Sequence, residues 1–187
     1  VPRYELDPSR SRFTVQAFAS GMLWAFSHNP TIAIKEFTGN LTFSPDTPAK
    51  PLLEIVVNAH ALESTDPIRP KDKQEIVDTM MEMLDVSTYP TVRYKSTEAI
   101  ATRLSDDWFR MQFKGHLSLR GMTRPQDIDA QLRLLEGEMR LGGSFELLQS
   151  NFQIHRPSAA AGLLITKDEL KFAFDVFGVA AAQGVVP

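Results

Sequence analysis

The chain has 187 residues, 43% hydrophobic and 23% charged, with a formal net charge of −3 and no cysteine. That length suits one domain with a sizeable core, and the lack of Cys excludes disulfides, thiol catalysis and Cys-ligated zinc. No Lys/Arg run makes a nucleic-acid footprint, and no apolar run approaches the roughly 20 residues of a membrane-spanning helix. Patterned sequence begins at Tyr4-Glu5-Leu6, which leaves no room for the spacer that often follows a signal-peptide cleavage site. The chain opens at Val1 and not at Met, so either a leader was removed or the numbering starts after the initiator. The missing spacer favours a chain without a signal, and the compartment is left open, with the cytoplasm favoured on this ground alone.

Arg12 to Phe18 alternates apolar and polar residues and predicts a strand. Thr31 to Phe43 predicts another, with Ile32 and Ile34 before Gly39 and Leu41 and Phe43 after it. A glycine inside such a pattern predicts a bulge or sharp bend there. Pro45 to Pro51 is a loop, and Leu53 to Ala59 a third strand. The period then changes. Ile76, Val77, Met80 and Leu84 recur at helical spacing, so a helix is expected from about Lys71 to Leu84, ending ahead of Tyr89-Pro90. Strands resume at Thr91–Ser96.

The clearest pattern is Trp108 to Leu119. Phe109, Met111, Phe113, Gly115, Leu117 and Leu119 fall on one side, with Arg110, Gln112, Lys114, His116 and Ser118 on the other. Such a long, two-faced strand belongs to an antiparallel sheet. Arg120 to Pro125 is a tight connection, and alternation continues through Ile128–Leu134, Met139–Leu147 and Glu169–Val176. Ser150 to Gly162 is irregular, with Ala159 to Gly162 expected as a turn or flap. Residues 180–187 are expected to be a frayed tail. No linker divides the chain, so residues 1–187 are expected to form a single domain. About eight long strands and one main helix predict an all-β fold that closes into an antiparallel barrel or doubles into a sandwich; strand length favours the barrel, with the helix at its side or mouth.

Little in the chain supports catalysis. His28, His60, His116 and His155 show no metal-type spacing. Ser144 lacks the second glycine of a nucleophile elbow. No phosphate-binding glycine loop is present. No acid, base or nucleophile converges, so the chain is expected not to be an enzyme, and to hold no metal or other cofactor. Lys71, Asp72, Lys73 and Glu75 are expected on the solvated face of the helix.

The functional question is what the apolar faces enclose. Phe13, Val15, Phe109, Met111, Phe113, Phe145, Phe172 and Phe174 are the candidate lumen residues. The small residues Ala17, Gly115, Ala130 and Gly143 on apolar faces would leave the volume that a tunnel needs. If the lumen is open, a long apolar ligand fits; if side chains fill it, the barrel is a structural or protein-interaction module. Headgroup preference would then rest with polar residues at a mouth, for which His28, Asn29 and Arg156 are the candidates. Together they would suit an oxygen-rich or phosphate group. The simpler roles are a local turn bond for His28 and a surface ion pair for Arg156.

Four segments in order resemble the YceI-like family of lipocalin-like polyisoprenoid-binding proteins: Tyr4 to Ser11, Phe37 to Phe43, Leu84 followed by Tyr89 to Ser96, and Gly115 to Pro125. The last is similar to the family's G-x-L-T-L-x-G-v-T-x-P motif, with Ser118 in place of Thr. His28 stands near a family histidine, but the residues after it differ, and the late R-x-dFG element is present only as Gln149 to Gln153. The resemblance runs from Tyr4 to about Gly178. It implies an antiparallel barrel with a helix beside it, non-covalent binding of a long isoprenoid or similar lipid, a homodimer, and in many members a periplasmic location.

Overall fold

In the computed structural model of the chain, residues 1–20, 29–46, 50–156, 158–159 and 164–181 are described. Their strands are β1 (Arg3–Ser20), β2 (Thr31–Ile34), β3 (Phe37–Thr42), β4 (Leu52–Asn58), β5 (Leu62–Ser64), β6 (Thr91–Arg103), β7 (Trp108–Leu119), β8 (Met122–Leu135), β9 (Glu138–Leu148), β10 (Ser158–Ala159) and β11 (Leu164–Ala180). Helix α1 (Pro70–Leu84) joins β5 to β6, and a 3₁₀ turn spans Gln149–Phe152.

Eight of these strands close a ring. The order β11-β9-β8-β7-β6-β4-β3-β1 is completed by pairing of β1 with β11, and every pair is antiparallel. Closure leaves the ring no free edge. The remaining strands extend the wall at one end: the second half of β1 pairs with β2, β2 with β5, and β10 with β11.

The two-residue period explains the wall. On β7, Phe109, Met111, Phe113, Gly115, Leu117 and Leu119 are buried and the residues between them face outward. The tight connection after β7 is a two-residue turn in which Leu119 pairs with Met122. Arg120 (φ 50°) and Gly121 (φ 71°) both take positive φ, as a turn matched to the strand twist requires.

Three features depart from the sequence expectation. The stretch from Thr31 is broken at Lys35–Glu36, between β2 and β3, and not at Gly39. Gly39 is instead a point of close approach, where a Cβ would collide with the Glu54 carbonyl oxygen. Strand β6 runs on to Arg103, because a register shift between Ser96 and Glu98 absorbs the break in alternation. Strand β1 is longer than the Arg12–Phe18 segment and carries a shift of its own between Asp7 and Arg12. There the Ser11 hydroxyl accepts the Phe177 N–H at 2.9 Å and donates to the Asp7 carbonyl at 2.6 Å, so backbone groups freed by the bulge are satisfied.

Helix α1 begins with Pro at its first turn and Asp72 nearby, both favourable there, and ends at Asp85 in the left-handed conformation (φ 49°). Its bounds agree with the periodicity within one residue. No helix among the described residues is long and apolar enough to cross a membrane. Of the flap expected at Ala159 to Gly162, Ala159 lies in β10 and 160–162 lie outside the described residues. Of the tail expected at 180–187, Ala180 is the last residue of β11, paired with Tyr4, and 182–187 lie outside the described residues.

Candidate functional site: an apolar cavity under helix α1

The barrel interior divides along its axis. At one end Leu41, Phe43, Phe109, Met111, Phe113, Leu132, Met139, Leu141 and Val176 pack together, all of them buried. The Phe43 and Phe109 rings meet edge to face at 5.1 Å. At the other end the side chains surround a cavity of about 480 Å³. The division runs consistently around the ring. On β1, Phe13, Val15 and Ala17 border the cavity and Tyr4 and Leu6 do not; on β7, Leu117 and Leu119 do and Phe109, Met111 and Phe113 do not. On β11, Leu170, Phe172 and Phe174 do and Val176 does not.

Helix α1 lies across this end. Asp72, Ile76, Thr79, Met80 and Met83 recur three or four residues apart and so share one face, and all five border the cavity. Ile76, Met80, Met83 and Leu84 are only partly buried while packing against the core, as expected for side chains with a void on one side.

Aromatic rings make up much of one wall. Phe145 and Phe172 stack at 4.7 Å with their planes 5° apart, and Phe13 stands edge-on to Phe172 and Phe174 at 6.4 and 6.0 Å. Polar groups on the wall are few. The buried Gln149 donates its amide N–H to the Lys167 carbonyl oxygen at 2.8 Å, which fixes its side chain at the 3₁₀ turn. Tyr94 donates its hydroxyl to the Gln126 carbonyl oxygen at 3.3 Å. Burial, helped by the nearby Asp127 carboxylate, pushes the Tyr94 phenol pKa well above its ordinary value, so it stays a neutral donor.

The expected lumen residues therefore fall into two groups. Phe13, Val15, Phe145, Phe172 and Phe174 border the cavity. Phe109, Met111 and Phe113 belong to the packed end and do not, a correction with a steric reason: the rings of Phe43 and Phe109 and the side chains of Leu132 and Met139 close that half of the barrel. The small residues need a similar correction. Ala17 does border the cavity, but Gly115 and Gly143 leave no void. A Cβ at Gly143 would lie 2.8 Å from the Phe174 ring and 2.6 Å from the Asp129 carbonyl oxygen; one at Gly115 would lie 2.5 Å from the Lys95 carbonyl oxygen and 2.7 Å from the Tyr94 hydroxyl. These glycines make room for neighbouring aromatics and backbone.

Of the expected mouth residues, His28 lies outside the described residues. Asn29 is exposed and its side-chain oxygen accepts the Ala19 N–H at 3.0 Å, a strand-end cap. Arg156 is exposed, and its charge contributes to holding Asp168 below the usual carboxylate range, after the hydrogen bonds from Ser150. Neither borders the cavity. Asp72 and Glu75, assigned from sequence to the solvated helix face, do. The 72–76–79–80–83 spacing was the signal that could have found Asp72; Glu75, three residues on, flanks that face and stays largely exposed.

Profile comparison matches residues 4–177 to the YceI-like domain. A UPF0312 protein of Enterobacter sp. (strain 638) is 28% identical over 109 residues, 58% of this chain, and the match spans about half (51%) of that relative's length. Among solved structures, BcnA of Burkholderia cenocepacia superposes with a TM-score of 0.70 at 14% identity, covering 92% of this chain and 98% of that one. A polyisoprenoid binding domain from Saccharophagus degradans, implicated in plant cell wall breakdown, superposes with a TM-score of 0.66 at 11% identity over 95% and 98% of the two chains. The barrel, its helix and the profile match along almost the whole sequence agree, and the chain belongs to the YceI-like domain family.

Proposed function

We propose that this chain binds a long apolar chain, a polyisoprenoid or similar lipid, in the cavity under α1 and carries it without transforming it. The observation that supports this reading is the 480 Å³ apolar cavity inside an otherwise close-packed barrel. Interiors normally fill to near-crystalline density, so a hollow of this size, walled by Phe, Ile, Leu and Met, is suited to a ligand. It also weighs against the filled-barrel interaction module. The polyisoprenoid-binding neighbour from S. degradans, which has the same fold, agrees with this reading.

The energetics are adequate. A ligand that hides roughly 500 Å² of apolar surface gains about 12 kcal/mol gross at about 25 cal/mol per Å². Ordering a flexible chain and losing its translational freedom offset much of that. Native mass spectrometry and organic extraction of gently purified protein test the proposal. A co-purifying long-chain lipid, released on unfolding, is expected. Protein that is empty and fails to take up added geranylgeraniol would overturn it. Homodimerisation, implied by the family resemblance, belongs to the same proposal, and sedimentation analysis of the purified chain tests it.

A further inference from the structure

We propose that the cavity selects apolar chains whose polar end is uncharged or cationic, and rejects those ending in a carboxylate or phosphate. The inference rests on the carrier reading and concerns the chemistry at the open end. Among the described residues that border the cavity, only Asp72 and Glu75 carry charge, and no Lys or Arg borders it. Both carboxylates sit on the same end of α1. Their cationic partners lie outside the cavity: Arg69 holds Asp72 through two bonds of 2.8 and 3.0 Å with its own side chain 82% exposed, and Lys71 approaches Glu75 at 3.8 Å with its side chain 83% exposed. Seen from inside, the rim presents oxygen acceptors.

An anionic end group entering here would lose hydration, find no cation among the described residues of the cavity wall to replace it, and face two carboxylates. A hydroxyl, carbonyl or amide end meets neutral partners instead: Thr79, Thr166, Tyr94 and Gln149 all border the cavity. An ammonium end would gain from Asp72 and Glu75. Of the oxygen-rich or phosphate headgroup expected from His28, Asn29 and Arg156, this rim favours the uncharged oxygen-rich kind.

The test uses one chain with three ends: geranylgeraniol, geranylgeranylamine and geranylgeranyl monophosphate, titrated into delipidated full-length protein. At low salt the alcohol and amine should bind about tenfold or more tighter than the phosphate, and added salt should narrow the gap. Glu75→Lys, at a largely exposed position, should shift the alcohol-to-phosphate ratio toward the phosphate. Phosphate binding as tight as that of the alcohol, an unmoved ratio in Glu75→Lys, or a selective loss of phosphate binding in Arg156→Ala would overturn the inference while leaving the carrier reading standing. Failure of all three ligands to bind would overturn the carrier reading and this inference with it.

Discussion

The two ends of the barrel share the same long strands and pack in opposite ways. Toward the β7 N-terminus, large side chains interlock until Met111, Leu132, Met139, Leu141 and Val176 have no accessible surface. Toward the β7 C-terminus, equally apolar residues stand apart around a void, and a helix with three methionines in its last turns covers it. Hydrophobicity therefore does not separate scaffold from site in this molecule. The difference lies in whether opposing side chains reach one another. Methionine's flexible, polarizable side chain suits a cover that must adapt to different occupants.

The sharpest way to break the comparison is by truncation. Phe113→Ala, at the packed end, should cost about 3–5 kcal/mol in urea unfolding, because the neighbours cannot collapse into the hole. Phe172→Ala, with one side on the cavity, should cost clearly less. Equal losses would mean that the two ends are packed alike. Gly143→Ala should cost about 1–3 kcal/mol through overpacking, since its Cβ meets both backbone and the Phe174 ring. A neutral result would show that the void reaches this strand.

Ala17→Phe fills the cavity from its wall. Its stability effect should stay below about 1.5 kcal/mol in either direction, while affinity for a long-chain ligand falls roughly tenfold, which is about 1.4 kcal/mol. Retained affinity would place the ligand elsewhere. The smallest effect lies on the outer wall. Arg140 donates to both oxygens of Asp175 at 2.7 and 2.6 Å and holds that carboxyl below its ordinary pKa. A depressed folded-state value stabilises the fold above about pH 4 and is lost as pH falls through that depressed value. The stability difference between the wild type and Asp175→Asn should therefore shrink on acidification. A difference that stays constant with pH would assign it to shape and not to charge.

The barrel was legible because its signal is local. Alternation along β7, β8, β9 and β11 survives burial on one face only, and the helix shows itself by a change of period. What local pattern does not carry is distance across the lumen. Phe113 and Phe145 look equivalent in a sequence, yet one is locked in the packed end and the other borders the void. Gly115 and Gly143 looked like missing volume because the side chains that use the space, Tyr94 and Phe174, come from neighbouring strands. Breaks in alternation misled for the same reason. The shifts in β1 and β6 are defined by their partners, and no partner is visible in a single strand. Asp72 was placed outside by charge alone, although its spacing with Ile76 and Met80 already set it at the edge of the inward face; Glu75 is largely exposed, as expected, while also bordering the cavity.

The seam between β1 and β11 bears on how the chain comes to be folded. Tyr4 pairs with Ala180 and Phe13 with Phe174, so the barrel's first strand waits for its last one before the ring can close. Until then, β1 lacks the partner that pairs along most of its length, and the apolar faces of an open, curved sheet stay wet. Such long-range pairing gives slow, late closure, since the loop entropy is lost before the contact rewards it. Chaperone demand and aggregation risk should therefore peak just before β11 is complete. Refolding followed by hydrogen exchange should show amides of the β7–β8 hairpin protected well before those of β1. Simultaneous protection would mean that the seam forms with the hairpins and not after them.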